Sequence, residues 1–336
     1  MVCLEARKAA RNALESVLEA SSGEKIMIIC DVEKIGVGEA FEAGASSLGL
    51  LTKLVRLPKP EKPRTEIPWQ LNEALSQKAD IYINLLEGNR EETPFRIKLI
   101  KLETCDRRAR LGHCPGVTLD MLTEGALALT LEEHGSMQGQ AEKLMQTLED
   151  VVAVEIRTLQ GTRLTLSTAG RKFFTDTKLD WKSMKWMNLP TGEVIVAPVE
   201  DSLNGKLVCN MAIGGIGKVS KPVEVTVKDG RVENVSSQDR EQLRRVEETF
   251  ASDEWSDVVG EFAFGINTKA RFVDEFLEAE KILGTVHVAF GANIDMPGGR
   301  NPSKNHMDLL MSEPTVKATR KGGEWFTVLE NGRFTV

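Results

Sequence analysis

The chain has 336 residues, a length that predicts two domains rather than one. Its hydrophobic fraction of 41% and charged fraction of 28% are typical of an ordinary globular protein. The formal net charge of -7 argues against a dominant phosphate-binding surface, because nucleic-acid binding relies on clustered lysine and arginine. We therefore expect no nucleic-acid partner.

The opening segment, MVCLEARKAARNALESVLEA, is predicted to form an amphipathic helix over residues 5–20. Glu5, Arg7 and Lys8 interrupt the apolar run that a signal peptide needs. The longest apolar stretches, such as residues 26–30, are far shorter than the roughly 20 residues that cross a bilayer. Five scattered cysteines favour a reducing compartment over a disulfide framework. These features predict a cytoplasmic protein without a membrane partner.

From residue 1 to about 140, helical periodicity alternates with short apolar runs. Further helices are predicted around residues 36–49 and 69–78, and strands at KIMIIC, LTKLVRL and DIYINLL. This alternation is typical of βαβ units with a parallel sheet covered by helices. We predict an α/β N-terminal domain over residues 1–140 with a mainly parallel sheet. Four prolines make residues 57–68 an exposed loop.

After about residue 140, tight-turn signals separate runs of alternating polar and apolar residues. Segments VVAVEIRTL and TRLTLSTA flank Gly161, while Asp229-Gly230 and Asn331-Gly332 each interrupt a strand-like run. A charged helix is predicted over residues 237–251. We therefore predict a β-rich α+β C-terminal domain over residues 141–336.

Two histidines and an aspartate near the end of this domain form a candidate metal site. His306 and Asp308 are separated by one residue, so on a strand their side chains project from the same face. His287 lies in TVHVAFG, a context typical of a second strand. The glycine- and proline-rich residues between the two segments would let these strands meet. Taken alone, each histidine could equally be a hydrogen-bonded structural residue.

Two glutamates have a similar setting. Glu193 in LPTGEVIVAP and Glu261 in VVGEFAFGIN each follow a glycine and precede an apolar run. An ionised carboxylate at the start of a buried strand is costly unless it is paired or coordinated. The alternative is that each is a strand-edge charge facing solvent. Together with the histidines, they predict a site for divalent cations.

Four segments in this half resemble the family of thermophilic metallo-aminopeptidases (M29, the aminopeptidase T and S type): LPTGEVIVAPVEDSLNG, GEFAFGIN, TVHVAFG and NHMD, in the family's order. The resemblance implies a homodimer with an α/β N-terminal domain and a β-rich metal-binding domain. It also implies two divalent cations, Zn, Mn or Co, held by a set of five ligands: Glu193, Glu261, His287, His306 and Asp308.

The chain departs from this family in three respects. A further family glutamate precedes the first histidine, and Glu280 is the nearest candidate, although its spacing does not align cleanly. The peptidases carry a tyrosine seven residues after the first ligand histidine, where this chain has Ile294; its single tyrosine is Tyr82. The two histidine motifs are also closer together than in the peptidases.

The resemblance predicts a metal-dependent aminopeptidase-like hydrolase that removes N-terminal residues from short peptides. In this hypothesis the cations activate a water molecule, and Glu261 is the base or bridging carboxylate. The substrate would be a short peptide, or another small molecule, with a free amino group held by the acidic pocket.

Two alternatives remain open from the residues. His287, His306 and Asp308 alone could bind one Fe(II) and leave positions for substrate and O₂. The same superfamily includes ring-cleaving enzymes that act on hydroxylated pyridines, so a mononuclear non-haem dioxygenase is the second hypothesis. A non-catalytic scaffold is the third. The metal content distinguishes them: two Zn, Mn or Co ions, one iron, or none.

Overall fold

The computed structural model describes residues 3–180 and 184–336, which form two compact units. Of these residues, those within Met1–Gln138, Asp176–Thr191 and Lys269–Arg271 form unit 1. Those within Gly139–Thr175, Gly192–Thr268 and Phe272–Val336 form unit 2. Each unit is thus assembled from separate segments of the chain, and the contiguous division at residue 140 stays a prediction.

Unit 1 contains a five-stranded sheet in the order β2-β1-β3-β4-β8, in which every neighbouring pair is parallel. Its strands are β1 (Lys25–Asp31), β2 (Leu51–Leu57), β3 (Ile81–Leu85), β4 (Arg110–His113) and β8 (Trp186–Asn188). The predicted parallel α/β region is confirmed. Strand β8 comes from a later part of the chain and has no counterpart in the predicted pattern.

The helices of the N-terminal half are α1 (Leu4–Ser16), α2 (Ile35–Ser47), α3 (Trp69–Leu75), α4 (Thr93–Glu103), α5 (Leu119–Thr123) and α6 (Leu131–Thr147). Helices α1 and α2 pack so closely that a Cβ on Gly44 would lie only 2.7 Å from the backbone nitrogen of Arg11. Glycine is needed at this crossing for the backbones to approach. Within residues 3–180 and 184–336, no helix has the length and apolar character needed to cross a membrane.

Unit 2 contains two sheets of antiparallel strands. The first has the order β14-β13-β10-β6-β5-β18-β19-β20: β5 (Val151–Arg157), β6 (Arg163–Ser167), β10 (Asn204–Cys209), β13 (Val223–Lys228), β14 (Arg231–Ser237), β18 (Thr315–Arg320), β19 (Trp325–Glu330) and β20 (Arg333–Phe334). Helices α7 (Arg240–Phe250) and α8 (Phe276–Ala279) also belong to this unit. The predicted β-rich α+β region is confirmed.

The second sheet has the order β12-β11-β17-β16-β15-β9-β7: β7 (Phe174–Thr175), β9 (Glu193–Val196), β11 (Ala212–Ile213), β12 (Gly217–Lys218), β15 (Val259–Gly265), β16 (Val286–Gly291) and β17 (His306–Met311). We call it the seven-stranded sheet. Phe262, Val288 and Leu309 are in register across its three central strands and are fully buried. One face of this sheet is therefore apolar core, and the alternate residues project from the other face.

The hairpin turns follow the predicted turn residues. Asp229 and Gly230 join β13 to β14 with φ values of 47° and 77°, and Asn331 and Gly332 join β19 to β20 with 48° and 76°. Positive φ at both central residues matches the twist of antiparallel strands, and asparagine, aspartate and glycine tolerate it best. Both of these predicted hairpins are confirmed, as is the predicted hairpin around Gly161, where β5 and β6 pair.

Candidate metal centre

The polar face of the seven-stranded sheet carries the candidate ligands. Ala289 on β16 lies directly opposite both Glu261 on β15 and Asp308 on β17. Residues in direct register project from the same face of a sheet. Because the alanine side chain between them is small, the two carboxylates have room to approach a common point.

The imidazoles of both strands meet the carboxylate of Asp308. Its Oδ1 atom lies 3.2 Å from Nε2 of His306 and 3.7 Å from Nε2 of His287. His287 is 1% exposed, whereas the side chain of His306 is 32% exposed. The pattern of His306 and Asp308 on one strand with His287 on the next, expected from the sequence, is what the structure contains.

Glu261 lies between the two histidines. Its Oε1 atom is 3.2 Å from Nε2 of His287, and its Oε2 atom is 3.2 Å from Nε2 of His306. Each oxygen therefore faces a different imidazole. A carboxylate placed in this way could offer one oxygen to each of two cations.

Glu193 completes the predicted set at the start of β9. Its Oε1 atom lies 3.5 Å from Nε2 of His287. The glycine before each glutamate has a steric reason. A Cβ on Gly192 would lie 2.5 Å from Cβ of Asn267, and a Cβ on Gly260 would lie 2.5 Å from the carbonyl oxygen of Gly291. A larger residue at either position would displace the strand that carries the glutamate.

Glu280 and Lys281, at the end of α8, also reach this face of the sheet. Glu280 joins His287 and Asp308 in a group whose ligand atoms lie within 4.8 Å of one another. The buried ammonium of Lys281 forms salt bridges with Glu280, at 2.9 Å, and with Glu193. Sequence reasoning singled out Glu280 only through the resemblance and did not single out Lys281. A lysine next to a glutamate on a short helix carries no signal of burial.

The side chains fit a divalent cation. Three overlapping groups could each hold one: Glu193, Glu261 and His287; Glu261, His306 and Asp308; Glu280, His287 and Asp308. Nδ1 of His306 donates a hydrogen bond to the carbonyl oxygen of Ala292 at 2.9 Å. This bond fixes a proton on Nδ1, so Nε2 is the nitrogen that faces the carboxylates and would bind a cation. Nitrogen and oxygen donors of this kind suit Zn, Mn, Co or Fe.

The pKa values of the site residues reflect the carboxylates that surround them. Burial lowers the pKa of His306, but Asp308 and Glu261 outweigh it and hold that pKa well above its usual value. Burial raises the pKa of Glu261, yet its contacts with His287 and His306 bring the net value below its usual range. Burial, opposed by Lys281, raises the pKa of Glu280 to about 8. The site thus attracts positive charge strongly.

All five predicted ligands come together, and their role as ligands stays a prediction. Ile294, in the loop after β16, is 57% exposed, and its side chain cannot donate a hydrogen bond. Tyr82 lies on β3 in unit 1, where its hydroxyl accepts a hydrogen bond from the backbone nitrogen of Ala79.

Two imidazoles and three carboxylates on one face of an antiparallel sheet, with Glu280 beside them, form a candidate metal centre in the β-rich unit. A model of the family described as thermophilic metalloprotease (M29) matches residues 130–334, more than half of the chain. The chain belongs to this family, and the resemblance seen in its motifs is confirmed. No curated protein matches the chain.

Two solved structures share the fold over almost the whole chain. Wild-type AmpT from Thermus thermophilus matches with a TM-score of 0.72 and 16% identity, covering 99% of this chain and 99% of that chain. The 2,5-dihydroxypyridine dioxygenase from Pseudomonas putida KT2440 matches with a TM-score of 0.71 and 14% identity, covering 98% of this chain and 97% of that chain. At these identities the likeness concerns the fold alone.

Proposed function

We propose that the protein is a metal-dependent hydrolase of the aminopeptidase type that removes N-terminal residues from short peptides. The observation that carries this proposal is the position of Glu261, whose two oxygens each lie 3.2 Å from a different imidazole. Membership of the thermophilic metalloprotease (M29) family supports the same reaction class.

The residues that would hold two divalent cations, Zn, Mn or Co, are Glu193, Glu261, His287, His306 and Asp308, with Glu280 as a sixth candidate. When bound, such ions polarise the scissile carbonyl and lower the pKa of a water molecule. The ligands belong mainly to adjacent hydrogen-bonded strands, which hold their positions more firmly than a loop would.

The chain itself supplies proton transfer and substrate binding. Glu261 would be either the base or the bridging carboxylate: as the base, one of its oxygens would accept a proton from the attacking water and return it to the leaving amine, and as the bridge both would bind cations. The carboxylates around it favour a cationic group, so the free ammonium of a peptide N-terminus is the natural substrate feature to bind here. Ile294 cannot donate a hydrogen bond to a developing oxyanion, so this stabilisation would have to come from the cations.

A second candidate is a mononuclear Fe(II) dioxygenase that cleaves a hydroxylated, pyridine-type ring. It is favoured by the approach of both Nε2 atoms to the same oxygen of Asp308, at 3.2 and 3.7 Å, which suits a two-histidine, one-carboxylate site. Ile294 in place of the tyrosine is also compatible with this reaction. A non-catalytic scaffold would have no need for a complete donor set.

Metal analysis and a substrate screen test the proposal. The protein would be purified without oxygen and its metal content measured, followed by assays with aminoacyl anilides and with hydroxylated pyridines. We expect Zn, Mn or Co and release of the anilide. Iron with ring cleavage would replace the hydrolase with the dioxygenase, and a protein that binds no metal would refute both. The predicted homodimer and cytoplasmic location need separate tests by sedimentation and by cell fractionation.

A further inference from the structure

Lys281 is a fully buried lysine at the candidate metal centre. It is 2% exposed, and its ammonium forms salt bridges with Glu193 and, at 2.9 Å, with Glu280. Two backbone hydrogen bonds hold its main chain in place. The nitrogen of Lys281 donates to the carbonyl oxygen of Glu278 at 3.1 Å, and its carbonyl oxygen accepts from the backbone nitrogen of Asn267 at 2.9 Å. The four-carbon side chain is the part that can move.

The two carboxylates that Lys281 engages belong to different candidate ligand groups. Glu193 forms one with Glu261 and His287, and Glu280 forms another with His287. A cation in either group would need a carboxylate that the ammonium already neutralises. The remaining group, Glu261, His306 and Asp308, contains neither of these carboxylates.

The charge of Lys281 takes the place of part of the positive charge that a second ion would bring. The four carboxylates and one ammonium of Glu193, Glu261, Glu280, Asp308 and Lys281 give a charge of −3 when all are ionised and the imidazoles are neutral. One divalent cation changes this to −1 and two change it to +1, whereas without the ammonium two cations would leave the four carboxylates neutral. Like charges held together in a buried site repel strongly, because water does not screen them.

We propose that Lys281 is a built-in cation that makes the two ion positions unequal. The first ion binds at Glu261, His306 and Asp308, and a second ion must displace the ammonium from Glu193 and Glu280. Lys281 thus acts as a positioning residue that weakens the second position. This inference rests on the metal centre of the proposed function.

Stepwise metal binding tests the inference without an activity assay. Chelator-treated full-length protein would be titrated with Mn²⁺ in a calorimeter, and bound metal would be counted after gel filtration. We expect the wild-type protein to hold one ion tightly and to bind a second at least about tenfold more weakly. In Lys281→Met the second ion should bind about tenfold more tightly than in the wild type.

Two control variants separate the charge of Lys281 from other effects. Lys281→Arg retains the positive charge and should bind ions in the unequal, wild-type manner. Lys206→Met removes an exposed ammonium that is paired with Glu224 on the other sheet of unit 2, and it should leave both steps unchanged.

Several outcomes would overturn the inference. Two ions bound with equal affinity by the wild-type protein would do so even if Lys281→Met failed to fold. An unchanged second step in a folded Lys281→Met protein would also do so. The proposed hydrolase can fail separately, if the unequal binding is observed but no peptide substrate is cleaved. A protein that binds no metal ion would refute both the unequal binding and the proposed hydrolase.

Discussion

Unit 1 buries Arg64 between two carboxylates, whereas unit 2 buries four carboxylates around one lysine and two imidazoles. Nη2 of Arg64 lies 2.7 Å from Asp31 and 2.9 Å from Glu92, and its guanidinium carbon lies 4.8 Å from the ring centre of Phe95. Both carboxylates contact the guanidinium directly, and the second oxygen of Asp31 accepts a hydrogen bond from the backbone nitrogen of Glu87 at 2.8 Å. This cluster needs nothing from solution, because its geometry already offsets the cost of burial.

The cluster in unit 2 has more carboxylates than cations. Glu193, Glu261, Glu280 and Asp308 share Lys281 and the histidines, and the buried carboxylates repel one another. Buried ionisable groups that perturb one another in this way occur most often at functional sites. The comparison teaches that burial of charge alone does not indicate function, whereas several buried carboxylates that share one ammonium favour a binding site.

The largest expected effect is that of removing a predicted ligand from the unbalanced cluster. His306→Ala should lower the hydrolytic rate by about 10⁴-fold, equivalent to about 5 kcal/mol, because loss of the ion removes its polarising effect. Steady-state kinetics with an aminoacyl anilide would measure it. Lys304→Ala, in the neighbouring loop, is the control and should retain activity. If His306→Ala kept its activity and its metal, the cluster would not be the active site.

Removing Arg64 from its cluster in unit 1 should lower the stability of the protein rather than its activity. Arg64→Met leaves Asp31 and Glu92 buried without their cation, which should lower the free energy of unfolding by about 3–5 kcal/mol. Urea denaturation would measure the change. Arg11→Met, which removes an exposed pair with Glu15 on α1, should change the stability little. Similar effects of the two variants would contradict the assignment of Arg64 as a buried structural ion.

A third prediction concerns pH and unit 1. Burial raises the pKa of Glu103 well above 4.5, only partly opposed by the hydrogen bond that Nδ2 of Asn84 donates at 2.9 Å. Above about pH 4.5 the folded protein therefore retains a proton that the unfolded chain releases. The free energy of unfolding should fall as pH rises, by up to about 1.4 kcal/mol per unit until the folded-state pKa is reached.

Glu103→Gln tests this dependence. The glutamine cannot ionise, so the difference in stability between variant and wild type should grow with pH above about 4.5. Burial lowers the pKa of the neighbouring His113 to about 3, so that residue stays neutral throughout this range. Denaturation curves measured from pH 5 to pH 8 would give the difference. A constant difference would show that Glu103 is ionised in the folded protein.

The smallest expected effect is a gain in stability from changing one carboxyl group of the cluster in unit 2. In metal-free protein, Glu280→Gln removes a carboxyl whose ionised form is disfavoured by burial and by the neighbouring carboxylates, while retaining a hydrogen-bond acceptor for Lys281. Stability should rise by about 1 kcal/mol, the opposite direction to Arg64→Met. Glu224→Gln, which alters an exposed pair with Lys206, is the control. A loss of stability in Glu280→Gln would mean that Lys281 already compensates the charge of Glu280, and would contradict the account of this cluster.

Local patterns predicted much of the fold and the site. The alternation of side chains along a strand was sufficient to bring His306 and Asp308 to one face, and Asp229-Gly230 identified a hairpin through its positive φ values. Both features depend on residues that are close in sequence. The glycine before each and the apolar run after it singled out Glu193 and Glu261, which lie on separate strands, and the resemblance to a family then implied that they are metal ligands.

The features that were missed depend on long-range packing. Strand β8 adds to the parallel sheet of unit 1 through pairing with β4, more than seventy residues earlier, and its three residues carry no periodicity of their own. Lys281 follows a helix of four residues, and nothing in EAEKILG indicates that its side chain is buried against Glu193. Such contacts arise from the arrangement of distant elements, which a single sequence does not display.

The most direct test of the central claim is anomalous diffraction from crystals of the protein soaked in Mn²⁺ or Zn²⁺. The account predicts a strong peak about 2 Å from Nε2 of His306 and from the nearest oxygens of Asp308 and Glu261. Crystals that diffract well, yet show no anomalous density between these three side chains, would contradict it.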